Sequence, residues 1–325
     1  MKKCLGQAPR AAIIGVLACI AQCAYAQSYP SRPVRLIVNA APGGGSDILA
    51  RKLSPELTQN LGQNIVVDNR PGAAGLLGTA TAAAATPDGY TLTMISGSHA
   101  SNAPLHRKLP YRPVDSFSPV MLFALSPQVL LTQASAPYKT IRELIAFSKA
   151  NPGKLNMGSS GTGSTPHLSG ELLKMMSGLT FTHVPYKGGG PAMTALIAGQ
   201  VELLIVVTQT ALPQVATGRV KPIGVLSARR LAAFPSVPTI AESGVPGYEA
   251  SNWAGILAPA HTPAAIVQTL YSAILKTIRS KDIKDWMINQ GLEPVEIGPA
   301  EFRRILQSDV TKWTKVVANA KITIE

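Results

Sequence analysis

Three loops in the sequence combine glycines with hydroxyl or charged side chains, the residue types that hold a small anion without covalent chemistry. They span residues 41–47, 158–167 and 184–193. Consecutive glycines let the backbone bend sharply and approach a ligand closely. The N–H groups at the start of a following helix can then receive negative charge. Capture of a small anion is therefore the chemistry that these loops indicate.

The same residues also have purely structural interpretations, and both interpretations stay open. Ser46 can cap the helix after the first loop, and Asp47 can complement the dipole of that helix. Pro166 suits the first turn of a helix, and a single histidine such as His167 is more often structural than ligand-binding. Lys187 fits a solvated surface charge as well as it fits a ligand contact.

Motifs of enzymes and cofactor sites are missing from the sequence. The first loop fails the dinucleotide pattern G-x-G-x-x-G because Ile48 occupies the place of the last glycine, and no P-loop is present. A G-x-S-x-G elbow is missing, and the histidines lack metal-ligand spacing. We therefore predict no cofactor, no metal and no catalytic residues, although a catalytic site assembled from distant residues stays an alternative.

The elements that must position these loops alternate between apolar strand patterns and helical patterns. Such alternation predicts an α/β fold in which helices cover parallel sheets, and ligands then bind where loops leave the carboxyl ends of strands. The first helix is predicted at about 47–61, and residues 263–320 are mostly helical, with Trp286 and Trp313 as core or docking residues. The predicted strands are 35–39, 65–67, 90–95, 154–157, 181–184, 201–207 and 220–225.

The N-terminus has the layout of a secretory signal peptide. Basic residues precede a short apolar run at 11–20, and Ala24-Tyr25-Ala26 supplies a small-x-small cleavage site. We expect a signal peptide over residues 1–26, a mature chain from near Gln27, and export to the periplasm.

A lipoprotein is the rival interpretation, because the residues before Cys19 loosely resemble a lipoprotein cleavage box. All three cysteines fall within residues 1–26, so we expect a mature chain without disulfides or thiol chemistry. The 299 residues that follow exceed one average domain and favour two lobes.

The charge balance is basic, with a formal net charge of +13 for the whole chain. The basic residues are dispersed and aromatic residues are few, a pattern that disfavours nucleic-acid binding. Attraction to an anionic membrane surface stays open, as does a positive field that gathers small anions.

A series of short motifs spans nearly the whole chain after residue 26, and their order and spacing are more specific than any one of them. The motifs are YPSRPVR (29–35), PGGGSD (42–47), NRPGAAG (69–75), PDGYTL (87–92), the loops at 161–167 and 184–193, FPSVPT (234–239) and GVPGYE (244–249). On these motifs the chain resembles the Bug family, the extracytoplasmic receptors of tripartite tricarboxylate transporters.

The resemblance implies a periplasmic-binding-protein-like fold of two doubly wound α/β lobes with a cleft between them. It places the crossings between lobes near residues 122–128 and near Asn252. We therefore expect lobe 1 to comprise residues 27–125 and 252–325, and lobe 2 to comprise residues 126–251.

The resemblance also implies a ligand and its contacts. Family ligands are small carboxylates, amino acids or related compounds, seated against the cleft loops, and the partners are the membrane permease subunits of the transporter. We expect a monomer that binds no nucleic acid. The implied ligand-binding residues are Pro42, Gly43, Gly44, Ser46, Asp47, Ser96 and Ser98 in lobe 1, and Ser160, Gly163, Ser164, His167, Tyr186 and Gly188 in lobe 2.

One departure from the family pattern bears on the ligand. Many family members carry an acidic residue where this chain has Val206. An acid there could pair with a ligand ammonium and valine cannot, so we expect a carboxylate or an apolar-tailed acid rather than a plain amino acid. Two alternatives to a transport receptor stay open: a periplasmic enzyme and a sensory co-receptor on the same scaffold.

Overall fold

Strands and helices alternate along most of this chain. The structure is a computed structural model that describes residues 29–40, 42, 45–72, 75–106 and 108–322, and the expected signal peptide lies outside them. The strands are β1 (Val34–Val38), β2 (Ile65–Asn69), β3 (Thr91–Ser96), β4 (Phe117–Ser126), β5 (Gln128–Gln133), β6 (Asn156–Ser159), β7 (Thr182–Pro185), β8 (Leu203–Val207), β9 (Val220–Val225), β10 (Asn252–Pro259) and β11 (Glu293–Ile297). The helices are α1 (Gly45–Leu61), α2 (Leu76–Ala83), α3 (Ser98–Asn102), α4 (Ile141–Ala150), α5 (Thr165–Ser177), α6 (Gly189–Ile197), α7 (Thr208–Ala216), α8 (Ala264–Arg279), α9 (Lys281–Asn289) and α10 (Pro299–Ala320).

The strands form two separate mixed sheets. One has six strands in the order β11-β4-β10-β3-β1-β2, and the other has five in the order β7-β6-β8-β5-β9. Pairing is parallel among β1, β2 and β3 and among β6, β7 and β8. The remaining pairs are antiparallel. The α/β prediction is confirmed, but the expectation of purely parallel sheets holds only for the strands joined by helical crossovers.

The chain passes between the sheets at two places. β4 ends at Ser126 and β5 begins at Gln128, so Pro127 alone separates a strand of one sheet from a strand of the other. The Pro127 carbonyl accepts hydrogen bonds from the N–H and the Oγ1 of Thr208, both within lobe 2. The return runs from the end of β9 to β10, which begins at Asn252. We call the six-stranded part lobe 1 and the five-stranded part lobe 2, and we propose that the lobes divide near residues 126 and 252.

Each lobe has its own apolar core, and a third cluster joins them. Leu36, Leu53 and Phe123 are buried in lobe 1, and a set around β5 and β8 is buried in lobe 2. The shared cluster combines Leu168 of α5 with Trp313 of α10 and their neighbours. The two lobes are therefore connected by this shared cluster as well as by the crossing strands.

Helix starts follow ordinary capping chemistry. Thr140, Ser164 and Ser280 precede α4, α5 and α9, and each side chain accepts the N–H of the residue three positions on. None of the helices in the described ranges is long and apolar enough to cross a membrane. Capping at Ser164 matters for the site, because it fixes the loop that was predicted to bind ligand.

Candidate ligand-binding site

A cavity of about 450 Å³ lies between the two sheets, where the crossing strands leave them. Lobe 1 contributes the start of α1, the end of β3 and the start of β10, and lobe 2 contributes the end of β8 and the first turn of α7. Carboxyl ends of strands are where ligands bind in open α/β sheets. The lining residues are Ala40, Gly45, Ser46, Ile48, Leu49, Ser96, Ser126, Val207, Gln209, Thr210, Asn252, Trp253, Ala254, Trp286, Gln290 and Leu292.

Two helices from opposite lobes begin at this cavity. α1 starts at Gly45 in lobe 1 and α7 starts at Thr208 in lobe 2. The first N–H groups of a helix have no partner within their own helix, and the helix dipole adds positive potential there. Val207 precedes α7 and supplies no side-chain cap. An anion between these two helix starts would meet donors from both lobes.

Side-chain polar groups add to these donors. Ser96 Oγ lies 2.7 Å from Ser98 Oγ, so the two hydroxyls share one hydrogen bond. Asn252 Oδ1 accepts the Gly97 N–H at 2.9 Å. This bond fixes the orientation of the Asn252 side-chain amide at the start of β10. Gln209 Oε1 is buried without a hydrogen-bond partner among the described residues. A buried acceptor of this kind needs a donor, and a ligand hydroxyl or an ordered water can supply one.

Ionisable side chains are missing from the lining of the cavity as far as the described residues form it. Asp47, next to the lining and 3% exposed, accepts a hydrogen bond from Arg51 Nε at 2.8 Å. In the described part of the chain, no group of three or more His, Cys, Asp or Glu residues could hold a metal ion. Binding of an anion here therefore depends on dipoles and hydrogen bonds rather than on a counter-charge.

The predicted lobe 1 residues differ in their position relative to the cavity. Ser46 and Ser96 line the cavity, and Ser98 is held against Ser96. Asp47 sits behind the lining in its contact with Arg51. Pro42 is exposed, and Gly43 and Gly44 lie outside the described residues.

The second predicted loop builds the start of α5. Gly163 has a left-handed backbone with φ 75° and donates its N–H to His167 Nδ1 at 3.0 Å. Ser164 Oγ accepts the His167 N–H at 3.4 Å and donates to the Gly161 carbonyl at 2.7 Å. Ser160 is half-buried just before this turn. The loop is thus held by its own hydrogen bonds, and none of its residues belongs to the lining of the cavity.

His167 stacks on a second histidine inside lobe 2. The ring centroids of His167 and His183 are 3.6 Å apart, and His183 Nε2 lies 2.7 Å from Ser159 Oγ. Burial, followed by the charge of His183, lowers the pKa of His167 to about 3. Burial and the nearby Lys174 lower the pKa of His183 to about 4. Both rings are neutral at pH 7, so they offer an anion no positive charge.

The third predicted loop lies at the cleft end of β7. Tyr186 is half-buried, and its N–H donates to the Ser159 carbonyl at 3.0 Å. Gly188, with φ 116°, precedes α6. Val206 is 2% exposed in the lobe 2 core, whereas Val207 lines the cavity, so the side chain at position 206 does not reach a ligand in this cavity and the expectation about ligand type that was drawn from it has no support here.

Several lining residues were missed by the sequence analysis. Gln209 and Thr210 directly follow a predicted strand and open a helix, so the rule that selected the three glycine-rich loops applies to them equally. They were missed because this turn contains no glycine. Trp286 was assigned to a core or docking role, and the structure places it half-buried on the cavity wall.

The two sheets, the two crossings and the uncharged, donor-lined cavity between the lobes define a two-lobed α/β protein of the periplasmic binding class. The chain belongs to the tripartite tricarboxylate transporter family receptors, whose family model matches residues 49–322.

Individual relatives agree with this assignment. Protein BugT of Bordetella pertussis is 35% identical over 311 residues, which cover 94% of this chain and 95% of BugT. The solved structure of R. palustris Rpa4515 with adipate is 35% identical, with a TM-score of 0.78, covering 91% of this chain and 99% of that one. MatC from Rhodopseudomonas palustris with bound malate is 33% identical, with a TM-score of 0.75, covering 89% and 100%.

Proposed function

We propose that this protein is an exported receptor that captures a small carboxylate in the periplasm and delivers it to the permease subunits of a tripartite tricarboxylate transporter. The observation that carries the proposal is the cavity between the lobes, where two helix starts and several hydroxyl and amide groups converge and where no described lining residue has an ionisable side chain. Hydrogen bonds to an ionised group contribute about 1.5–3 kcal/mol each, so a few of them hold a carboxylate without a counter-charge.

The solved relatives support a carboxylate as the ligand. One of them carries adipate and another carries malate, and both match this chain over about nine-tenths of its length. A receptor is preferred over an enzyme because the described residues that line the cavity include no ionisable side chain that could act as a general base, either to activate a hydroxyl or to transfer a proton, and no metal-ligand set.

Recognition in this proposal uses both lobes. Ser46 and Ser96 contact the carboxylate from lobe 1, together with the glycine-rich turn before α1. The predicted lobe 2 residues reach the ligand when the lobes close, and His167 holds Gly163 in place rather than supplying charge. The predicted lobe 2 contacts are Ser160, Gly163, Ser164, His167, Tyr186 and Gly188.

The cellular setting is also part of the proposal. Residues 1–26 act as a cleaved signal peptide, and the mature protein is a periplasmic monomer. N-terminal sequencing of the exported protein tests this, since a chain that begins at a lipidated Cys19 would show a membrane-anchored receptor instead.

Native mass spectrometry of the purified protein tests the function most directly. We expect a small carboxylic acid to co-purify and to be released unchanged. Conversion of that acid by the protein would favour the periplasmic enzyme. Normal growth on the acid after gene deletion, with loss only of its regulatory response, would favour the sensory co-receptor.

Paired serine variants test the site. Ser46→Ala and Ser96→Ala should each weaken binding of the co-purified acid by about tenfold, as expected for one lost hydrogen bond to an ionised group. Ser54→Ala is the matched control, because Ser54 lies on α1 outside the cavity and its hydroxyl bonds the Ala50 carbonyl. If Ser46→Ala and Ser96→Ala bind as tightly as Ser54→Ala, the carboxylate is not seated in this cavity.

A further inference from the structure

The cavity lining combines polar and apolar side chains. Its serine, threonine and amide groups come from the start of α1, the strand ends, the start of α7 and the residue after α9. Apolar side chains from the helices of lobe 1 and from the loop before β11 also line it, namely Ile48 and Leu49 of α1, Trp286 of α9 and Leu292. We call these four residues the apolar wall. Ile48 is 49% exposed and Trp286 is half-buried, whereas Leu49 and Leu292 are buried, so it is mainly Ile48 and Trp286 that present apolar surface left uncovered by the described residues.

The charges near the apolar wall are already engaged. Arg51, one turn along α1 from Asp47, donates its Nε to Asp47 Oδ1 at 2.8 Å and its Nη2 to Asn69 Oδ1 at 2.9 Å. Among the described residues, the lining contains no lysine, arginine, aspartate or glutamate. A ligand can therefore place one carboxylate among the donors, whereas a second charged group packed against the apolar wall would lose its hydration there and gain neither a partner charge nor a set of donors.

We propose that the ligand is an acid with one carboxylate and an uncharged, apolar body, and that this body packs against the apolar wall. The inference rests on the proposed receptor function and narrows its substrate class. It separates this chain from the two solved relatives described above, whose named acids, adipate and malate, each carry two carboxylates.

Three acids of equal chain length test the charge of the ligand's far end. Hexanoate ends in a methyl group, adipate in a second carboxylate and 6-aminohexanoate in an ammonium group. Isothermal titration calorimetry of the purified protein should show hexanoate binding at least about tenfold more tightly than either of the others. Its methyl end carries no charge, so no hydrated ion has to be taken out of water when it binds.

A charge introduced into the wall should reverse this preference. Ile48→Arg places a cation at an already exposed position of the lining, and adipate should then bind more tightly than hexanoate. Ile288→Arg is the matched control, because Ile288 is 50% exposed and lies outside this cavity. The Ile288→Arg variant should keep the preference of the parent protein for hexanoate over adipate. Thermal melting confirms that both variants are folded.

The outcomes separate this inference from the receptor function. Adipate or 6-aminohexanoate binding as tightly as hexanoate to the parent protein would overturn the inference and leave the receptor function standing. Equal shifts of preference in Ile48→Arg and Ile288→Arg would also overturn it, because the effect would then be one of net charge. Failure of all three acids to bind, with no acid co-purifying, would overturn the receptor function and the inference together.

Discussion

Mild acid should destabilise this protein, because two buried histidines cannot accept a proton while it is folded. His167 is 4% exposed, and its Nδ1 already accepts the Gly163 N–H at 3.0 Å. His99 is 3% exposed and donates its Nε2–H to the Pro113 carbonyl at 2.8 Å. Its Nδ1 is buried with no partner in the described residues. Burial lowers the pKa of His167 to about 3 and that of His99 to about 4.

The size of the effect follows from the difference between the folded and unfolded pKa values. In the unfolded chain both rings take up a proton near pH 6.5. The free energy of unfolding is therefore highest above that pH and falls as the pH drops. Between pH 6.5 and the pKa of the folded state, each ring lowers the free energy of unfolding by about 1.4 kcal/mol per pH unit. At about pH 4.5 the two rings together have removed about 5 kcal/mol, a large part of the 5–15 kcal/mol that stabilises a typical protein.

Urea unfolding between about pH 7.5 and pH 4.5 measures this dependence. In His167→Asn, the asparagine Oδ1 replaces the ring Nδ1 on Cγ and can still accept the Gly163 N–H but cannot titrate, so the slope of unfolding free energy below about pH 6.5 should fall by about 1.4 kcal/mol per unit. His261→Asn is the control, because His261 is exposed and asparagine tolerates its φ of 66°. The reasoning fails if the slope of His167→Asn equals that of the parent and of His261→Asn.

Three further predictions concern packing and motion. A Cβ at Gly255 would lie 2.5 Å from Phe302 Cζ, whereas one at Gly190 meets nothing within 4 Å; thermal melting should therefore show Gly255→Ala destabilised by about 1–3 kcal/mol and Gly190→Ala unaffected or more stable. Tyr248→Phe removes the 2.8 Å hydrogen bond from the buried hydroxyl to the Ser169 carbonyl and should lower the free energy of unfolding in urea by about 1 kcal/mol. An unchanged urea midpoint would contradict this prediction. Saturating ligand should reduce the radius of gyration in small-angle scattering as the lobes close, and an unchanged radius would contradict closure.

The sequence predicted strands well where a helix follows each strand. All seven predicted strands appear with ends displaced by at most two residues. β4, β5, β10 and β11 were missed. β4 and β10 are buried on both faces, so they show no alternation, and proline or glycine interrupts them. β11 is a short edge strand with two glutamates and a proline, a composition that disfavours strands.

The site was harder to predict because it depends on which loops from different lobes meet. Ser46 and Ser96 were chosen from local patterns and line the cavity. The hydroxyls and glycines of residues 160–167 have the same local pattern, but the structure uses several of them to cap α5 and to hold His167. Capping and ligand binding require the same residue types. A Gly163→Val variant would therefore not locate the ligand, since φ 75° strains a β-branched residue whether or not a ligand binds there.

Closure of the cavity must act against a contact on the other side of the crossing. Ser126 and Val207 line the cavity, while their successors Pro127 and Thr208 line a separate groove of about 490 Å³ that contains the Arg229–Glu293 ion pair between the lobes. We expect a rotation about Pro127 that narrows the cavity to widen this groove and separate the pair.

The two side chains of that pair are 70% and 33% exposed, so the pair contributes no more than about 1 kcal/mol, less than one hydrogen bond to a bound carboxylate. Ligand should therefore close the lobes in spite of it, and Arg229→Ala should tighten hexanoate binding in calorimetry by at most about fivefold. Arg230→Ala is the matched control, because Arg230 pairs with Glu242 within lobe 2 at 3.0 Å and should leave the affinity unchanged. Weaker binding by Arg229→Ala would show that the ion pair belongs to the closed state, and the direction of rotation inferred here would be wrong.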